Sequence, residues 1–107
     1  MAAQADRNVA EEKAIEYVRR PREHNVAVWQ AYLFGSYAKG THDGDSDIDL
    51  AVFLDQEDIY GFDEGVLLTC LRRGIDARIE PRAFARTDAG DGDPLIREIL
   101  RTGKRIA

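Results

Sequence analysis

Two apolar runs, Val26 to Phe34 and Ile48 to Leu54, flank a stretch that no core could accept. The first run is rich in Val, Trp, Tyr, Leu and Phe, and the second turns almost wholly apolar after its opening acids. Residues of this kind suit buried strands. Between the runs, Gly35, Gly40 and Gly44 punctuate a tight loop with one helical turn. From residue 35 to residue 64 there is one basic group, Lys39, against nine acidic ones, whereas residues 1–34 are balanced and residues 65–107 carry a net charge of +3. Nine carboxylates with one cation repel each other when packed. This segment must stay solvated or hold cations.

The rest of the chain supplies what two such strands need as cover. Ala10 to Arg20 reads as a helix with Ala10, Ala14, Ile15 and Val18 on one stripe, ended by Pro21. Gly61 to Arg73 carries Phe62, Val66, Leu67, Cys70 and Leu71 at helical spacing, with Gly74 as its stop. Ile75 to Glu80 reads as a third strand closed by Pro81. Thr87 to Asp93 is Gly/Asp-rich and reads as an exposed loop. A last helix follows, with Asp93 as N-cap, Pro94 as first residue, Gly103 as stop, and Leu95, Ile96, Ile99 and Leu100 on its apolar face. The order is αβ(loop)βαβα, which predicts an α+β fold: a small mixed β-sheet with packed helices.

The 107 residues fit a single domain over 1–107. The lone Cys70 excludes a disulfide framework and any zinc site built on several cysteines. No apolar run approaches the roughly 20 residues of a membrane span, and no signal-peptide pattern is seen, so a soluble cytoplasmic protein without membrane contact is expected. The net charge of −5 argues against passive duplex nucleic-acid binding, which needs a basic surface.

Chemistry concentrates where the first strand ends and the second begins. Gly35 permits close backbone approach, and Ser36 adds a hydroxyl at a strand-to-turn junction whose N–H groups suit an anion such as phosphate. A Gly-Ser pair alone is commonly an ordinary turn. In Asp45-Ser46-Asp47-Ile48-Asp49-Leu50, a strand puts Asp47 and Asp49 on one face and Ile48 and Leu50 on the other. Two carboxylates roughly 7 Å apart repel unless a cation stands between them. Magnesium, which takes one or two carboxylates plus phosphate oxygens, answers that need.

Gly35-Ser36, Gly40 and Ser46-Asp47-Ile48-Asp49-Leu50, followed by an apolar run, resemble the signature of the DNA polymerase β-type nucleotidyltransferase superfamily. Within it, the chain most resembles the minimal nucleotidyltransferases. The resemblance covers roughly residues 31–84 by motif and the rest by element order. It implies the polymerase β-type fold and Mg2+-dependent transfer of a nucleoside monophosphate, AMP from ATP, to an acceptor hydroxyl. Gly35, Ser36 and Lys39 would meet the nucleotide phosphates, and Asp47 and Asp49 would bind metal. The superfamily's third carboxylate comes from a later strand, where Asp76 and Glu80 are both eligible, Asp76 also as a metal ligand. Many members have Arg where Tyr37 stands here.

The resemblance further implies a separate HEPN-type helical protein as partner, with this chain as antitoxin of a toxin–antitoxin pair that modifies or blocks the toxin. Nucleotidylation of a small molecule, as in aminoglycoside-modifying relatives, and a non-catalytic binding module are the alternatives. A partner is expected at the open nucleotide cleft, because the Leu95–Leu100 face is reserved for the core. Arg72 and Arg73 read as cations favouring a helix dipole, Cys70 as inert packing, and His24 and His42 as solvated loop residues.

Overall fold

The computed structural model describes residues 2–35, 46–56, 62–90 and 92–107. Helix α1 (Ala2–Glu23) precedes strands β1 (Val28–Phe34) and β2 (Ile48–Leu54). Helix α2 (Phe62–Cys70), strand β3 (Ile79–Ala85), a 3₁₀ turn (Arg86–Gly90), helix α3 (Pro94–Thr102) and the short strand β4 (Lys104–Arg105) follow. The sheet order is β3-β2-β1-β4. β1 runs antiparallel to both β2 and β4, while β2 and β3 are parallel. The sheet is therefore mixed. A parallel pair cannot be joined by a hairpin, and α2 lies on the crossover between β2 and β3.

Burial explains why Ile48–Leu54 is apolar at nearly every position. Its even-numbered residues Ile48, Leu50, Val52 and Leu54 pack with Ala10, Ala14, Tyr17 and Val18 of α1 and Leu68 of α2. Ala51 and Phe53 face the other layer, with Ile96 and Ile99 of α3. A central strand covered on both faces loses the alternation of a half-solvated one. Phe53 stacks on Phe84 at 5.4 Å and meets Trp29 and Tyr32 edge-on. Asp49 is the one β2 position that is not fully buried.

The sequence reading is corrected at several points. Pro21 does not end α1; it is buried inside the last turn, and the helix continues to Glu23. The stop is Asn25, whose φ of 64° lets Val26 N–H reach Pro21 O at 2.8 Å and Asn25 N–H reach Arg22 O at 3.2 Å. That pair of bonds is a Schellman closure, which a helix can make with proline one turn back. Tyr17 takes the core position given to Ile15, and its hydroxyl donates to Leu68 O at 2.6 Å. Leu68 of α2 and Leu71 just after it are buried, whereas Val66, Leu67 and Cys70 are exposed. Cys70 is thus no packing residue.

The third strand begins four residues later than predicted, at Ile79, and contains Pro81. The delay has a local cause. Asp76 Oδ1 accepts from Arg78 N–H at 2.9 Å, folding Asp76–Arg78 into a turn. Proline is tolerated in β3 because this is an edge strand, where alternate N–H groups have no sheet partner. The segment after β3 is partly ordered as the 3₁₀ turn rather than loop, with Ala85 N–H donating to Asp88 Oδ2 at 2.9 Å. Helix α3 starts as predicted: Asp93 Oδ1 accepts from Leu95 N–H at 2.8 Å, and Pro94 is the first residue. Of its apolar face, Ile96 and Ile99 are buried while Leu95 is 44% exposed, so Leu95 is free of the core. A side chain at Gly103 would press on Leu33 O at 3.1 Å and harder on Ile99 O. This close passage delivers the chain to β4, an element the sequence reading lacked.

Candidate nucleotide-transfer site

The pairing of β1 with β2 places Phe34 opposite Asp49, so the chain leaves β1 directly over the acidic start of β2. Gly35 sits there with φ of 71°. A Cβ at Gly35 would collide with Asp49 Oδ2 and lie 3.1 Å from its Cγ. Glycine is therefore required twice, by the backbone angle and by the carboxylate beneath it. Ser36 and Lys39, with Tyr37, Gly40 and His42, lie outside the described residues.

Asp47 is exposed immediately before β2, two residues from the half-buried Asp49. Parallel pairing sets Glu80 of β3 beside Asp49, and Arg82 beside Ala51. Residues in register on neighbouring strands project to the same face. Asp49 thus meets carboxylates along its own strand and across from it. Its pKa is raised above the ordinary carboxylate value, first by burial, then by the charge of Asp47, with Glu80 adding to the rise and Arg82 opposing it.

Glu80 and Asp76, the two candidates for a third acid, are treated very differently. Glu80 stands in the strand next to Asp49 with its side chain 52% exposed, loosely paired to Arg72 Nη1 at 3.7 Å. Asp76 precedes the strand. Arg78 grips it with Nη2 to Oδ2 at 2.8 Å and Nε to Oδ1 at 3.1 Å, in addition to the backbone bond. Those hydrogen bonds from Arg78 hold its pKa below the usual carboxylate range, against a smaller opposing effect of burial. The structure brings Asp47, Asp49, Gly35 and Glu80 together and leaves Asp76 in a separate turn.

Two residues gained roles that the sequence reading did not assign. Arg82 shares the face of Asp49, and Arg72 donates to Ile79 O at 2.8 Å, reaching the outer edge of β3. Counting by twos from Glu80 finds Arg82 once the strand is carried through Pro81. Arg72 gave no such signal, since a cation near a helix end already has an explanation. His24 is exposed after α1, at the opposite end of β1 from Gly35.

The donor chemistry suits a hard divalent cation. Asp47 and Asp49 offer only oxygens, the electrostatic crowding at Asp49 calls for positive charge, and no side chain at Gly35 presses on the Asp49 carboxylate. Among the described residues no three His, Cys, Asp or Glu side chains form a complete cage. A carboxylate pair that leaves further ligand positions to phosphate and water is the arrangement magnesium favours.

A mixed sheet carrying paired carboxylates at the start of its central strand, under a glycine turn, defines an α+β domain of the nucleotidyltransferase class. The family model described as polymerase beta, nucleotidyltransferase matches residues 12–107, and the chain belongs to that family. Among solved structures, it is similar to a candidate nucleotidyltransferase from Sulfolobus solfataricus, with a TM-score of 0.69 and 19% identity. That match covers 85% of this chain and 80% of the other and shows the shared fold. No curated protein sequence matches the chain. No helix among the described residues is long and apolar enough to cross a membrane.

Proposed function

We propose that the protein moves AMP from ATP to a hydroxyl group on a partner protein, with magnesium at Asp47 and Asp49. The observation that carries this reading is the acid group at the head of β2: Asp49, half-buried beneath Gly35, with Asp47 and Glu80 beside it and Arg82 only partly offsetting their charge. Magnesium bound there would neutralise charge on the phosphates as the bond to the leaving group breaks. Gly35, with Ser36 and Lys39, would seat the triphosphate. Glu80, in register with Asp49 and only loosely paired to Arg72, is the better-supported third carboxylate. It would accept the proton of the attacking hydroxyl. The hydroxyl oxygen bonds to the α-phosphorus, the bond to the β-phosphate bridging oxygen breaks, and pyrophosphate leaves. Asp76 serves its turn instead, because Arg78 already occupies its carboxylate.

The choice of acceptor rests on the motif's resemblance. Gly35-Ser36 and Ser46-Asp47-Ile48-Asp49-Leu50 most resemble the minimal nucleotidyltransferases, which supports a separate HEPN-type helical protein as acceptor and an antitoxin role for this chain. The test is transfer of label from α-labelled ATP to the co-purified partner in magnesium, compared with chelator. Label on a partner hydroxyl is expected in magnesium alone. Label on an added aminoglycoside, and none on the partner, would move the assignment to small-molecule modification. Tight partner binding with no label anywhere would leave a binding module.

A further inference from the structure

The acid group at the head of β2 has two flanks. Asp49 lies on the central strand, with Phe34 of β1 in register on one side and Glu80 of β3 on the other. Gly35, which seats the triphosphate in the proposed reaction, continues β1. The hydroxyl whose proton Glu80 accepts therefore approaches from the β3 side, and the surroundings of Glu80 bear on what carries that hydroxyl.

Those surroundings are basic. Arg82 is exposed and follows Glu80 on the same face of β3, roughly 7 Å along at the usual strand rise. Arg72 reaches the outer edge of β3, donating to Ile79 O at 2.8 Å, and its Nη1 lies 3.7 Å from Glu80 Oε1. Arg72 also lines a cavity of about 350 Å3 together with Thr69 and the exposed Arg73, and no acidic residue is among its described walls. Neither Arg73 nor Arg82 has a side-chain hydrogen bond or ion pair to another described residue. Magnesium at Asp47 and Asp49 would supply the positive charge that those carboxylates need and leave the Arg82 guanidinium for a substrate anion. Guanidinium groups bind carboxylates and phosphates alike. A nucleic acid carries a charge at every phosphate, which the nine acidic groups between residues 35 and 64 oppose. A peptide can place its carboxylates at the arginines alone.

We propose that the acceptor hydroxyl lies within an acidic peptide segment, its carboxylates held by Arg82 on the sheet face and by Arg72 and Arg73 at the outer edge of β3. The inference rests on the transfer reading, in which Glu80 meets the acceptor. The test titrates fluorescein-labelled Glu-Asp-Tyr-Asp-Glu with the full chain in magnesium and a non-hydrolysable ATP analogue, followed by anisotropy. The amide counterpart Gln-Asn-Tyr-Asn-Gln and an RNA oligonucleotide of the same charge as the acidic peptide are titrated alongside. Saturable binding of the acidic peptide is expected, roughly tenfold tighter than that of either control. The Arg73→Gln/Arg82→Gln variant should lose this preference and keep the thermal stabilisation by magnesium and analogue, which also reports that it is folded. An acidic peptide that fails to saturate, equal binding of the amide peptide, RNA binding as tight, or a preference kept by the double variant would each overturn this inference alone. Nucleotide stabilisation lost in the double variant would assign the arginines to the nucleotide and overturn it too. A wild type that magnesium and analogue do not stabilise would overturn the transfer reading, and this inference with it.

Discussion

Two acidic spots flank the crossover between β2 and β3 and are built on opposite principles. In the turn at Asp76, the carboxylate has a guanidinium on both oxygens and a backbone N–H besides, and its pKa is held down. At the head of β2, Asp49 is half-buried, neighbours Asp47 and Glu80, and its pKa is pushed up. The first arrangement stabilises the protein as it stands. The second disfavours the charged form of Asp49, an effect that Arg82 only partly offsets. The contrast separates a carboxylate bound within the fold from one set among other acids, and it is the ground on which Glu80 rather than Asp76 enters the proposed site.

Substitutions at the two spots should therefore separate activity from stability. The largest effect is expected for Asp49→Asn: a loss of transfer by about three orders of magnitude or more, since metal coordination carries much of the stabilisation in phosphoryl chemistry. Denaturant melts in chelator should find this variant at least as stable as the wild type. Gly35→Ala comes next, because it forces a side chain onto the Asp49 carboxylate at a left-handed backbone angle. It should cost about 1–3 kcal/mol of stability and most of the transfer activity. Asp76→Asn should show the reverse pattern, losing about 1 kcal/mol of stability while transfer stays within a few-fold of wild type. A large activity loss in that last variant would break the distinction between the two spots.

The pH dependence of stability sharpens the same comparison. Asp76 has a lowered folded pKa, so its contribution is present above the ordinary carboxylate pKa and lost as pH falls through the folded value. Asp49 has a raised folded pKa, so its cost is present above that value and relieved as pH falls through it. Melts in chelator across the acid range should show Asp76→Asn flattening the loss of stability on acidification. Asp49→Asn should instead remove a gain. These are the smallest effects expected.

How far the sequence foretold this molecule follows the kinds of force involved. Ile48–Leu54 was legible because burial on both faces leaves no polar alternation to misread, and α3 because Asp93, Pro94 and Gly103 act locally. The prolines misled for a common reason. Pro21 is tolerated because Asn25 closes the helix behind it, and Pro81 because β3 is an edge; both facts are tertiary or lie beyond the residue itself. The start of β3, though not its phase, is displaced by one side-chain hydrogen bond at Asp76. On α2 and α3 the apolar stripes were too wide to say which members face inward, so Cys70 and Leu95 were placed in a core that excludes them. At the site, Asp47, Asp49 and Gly35 are singled out by spacing and Glu80 is named beside Asp76, while the placing of Glu80 next to Asp49 and of Arg82 on the same face requires the parallel register.

The most direct test of the ligand-reserved head of β2 is a thermal melt of wild type and of the Asp47→Asn/Asp49→Asn double variant. Each is melted in chelator and in magnesium with a non-hydrolysable ATP analogue. The double variant should match or exceed wild type in chelator and should lose the stabilisation that magnesium and nucleotide confer on wild type. A double variant that is less stable in chelator, yet stabilised by magnesium and nucleotide as strongly as wild type, would contradict the account.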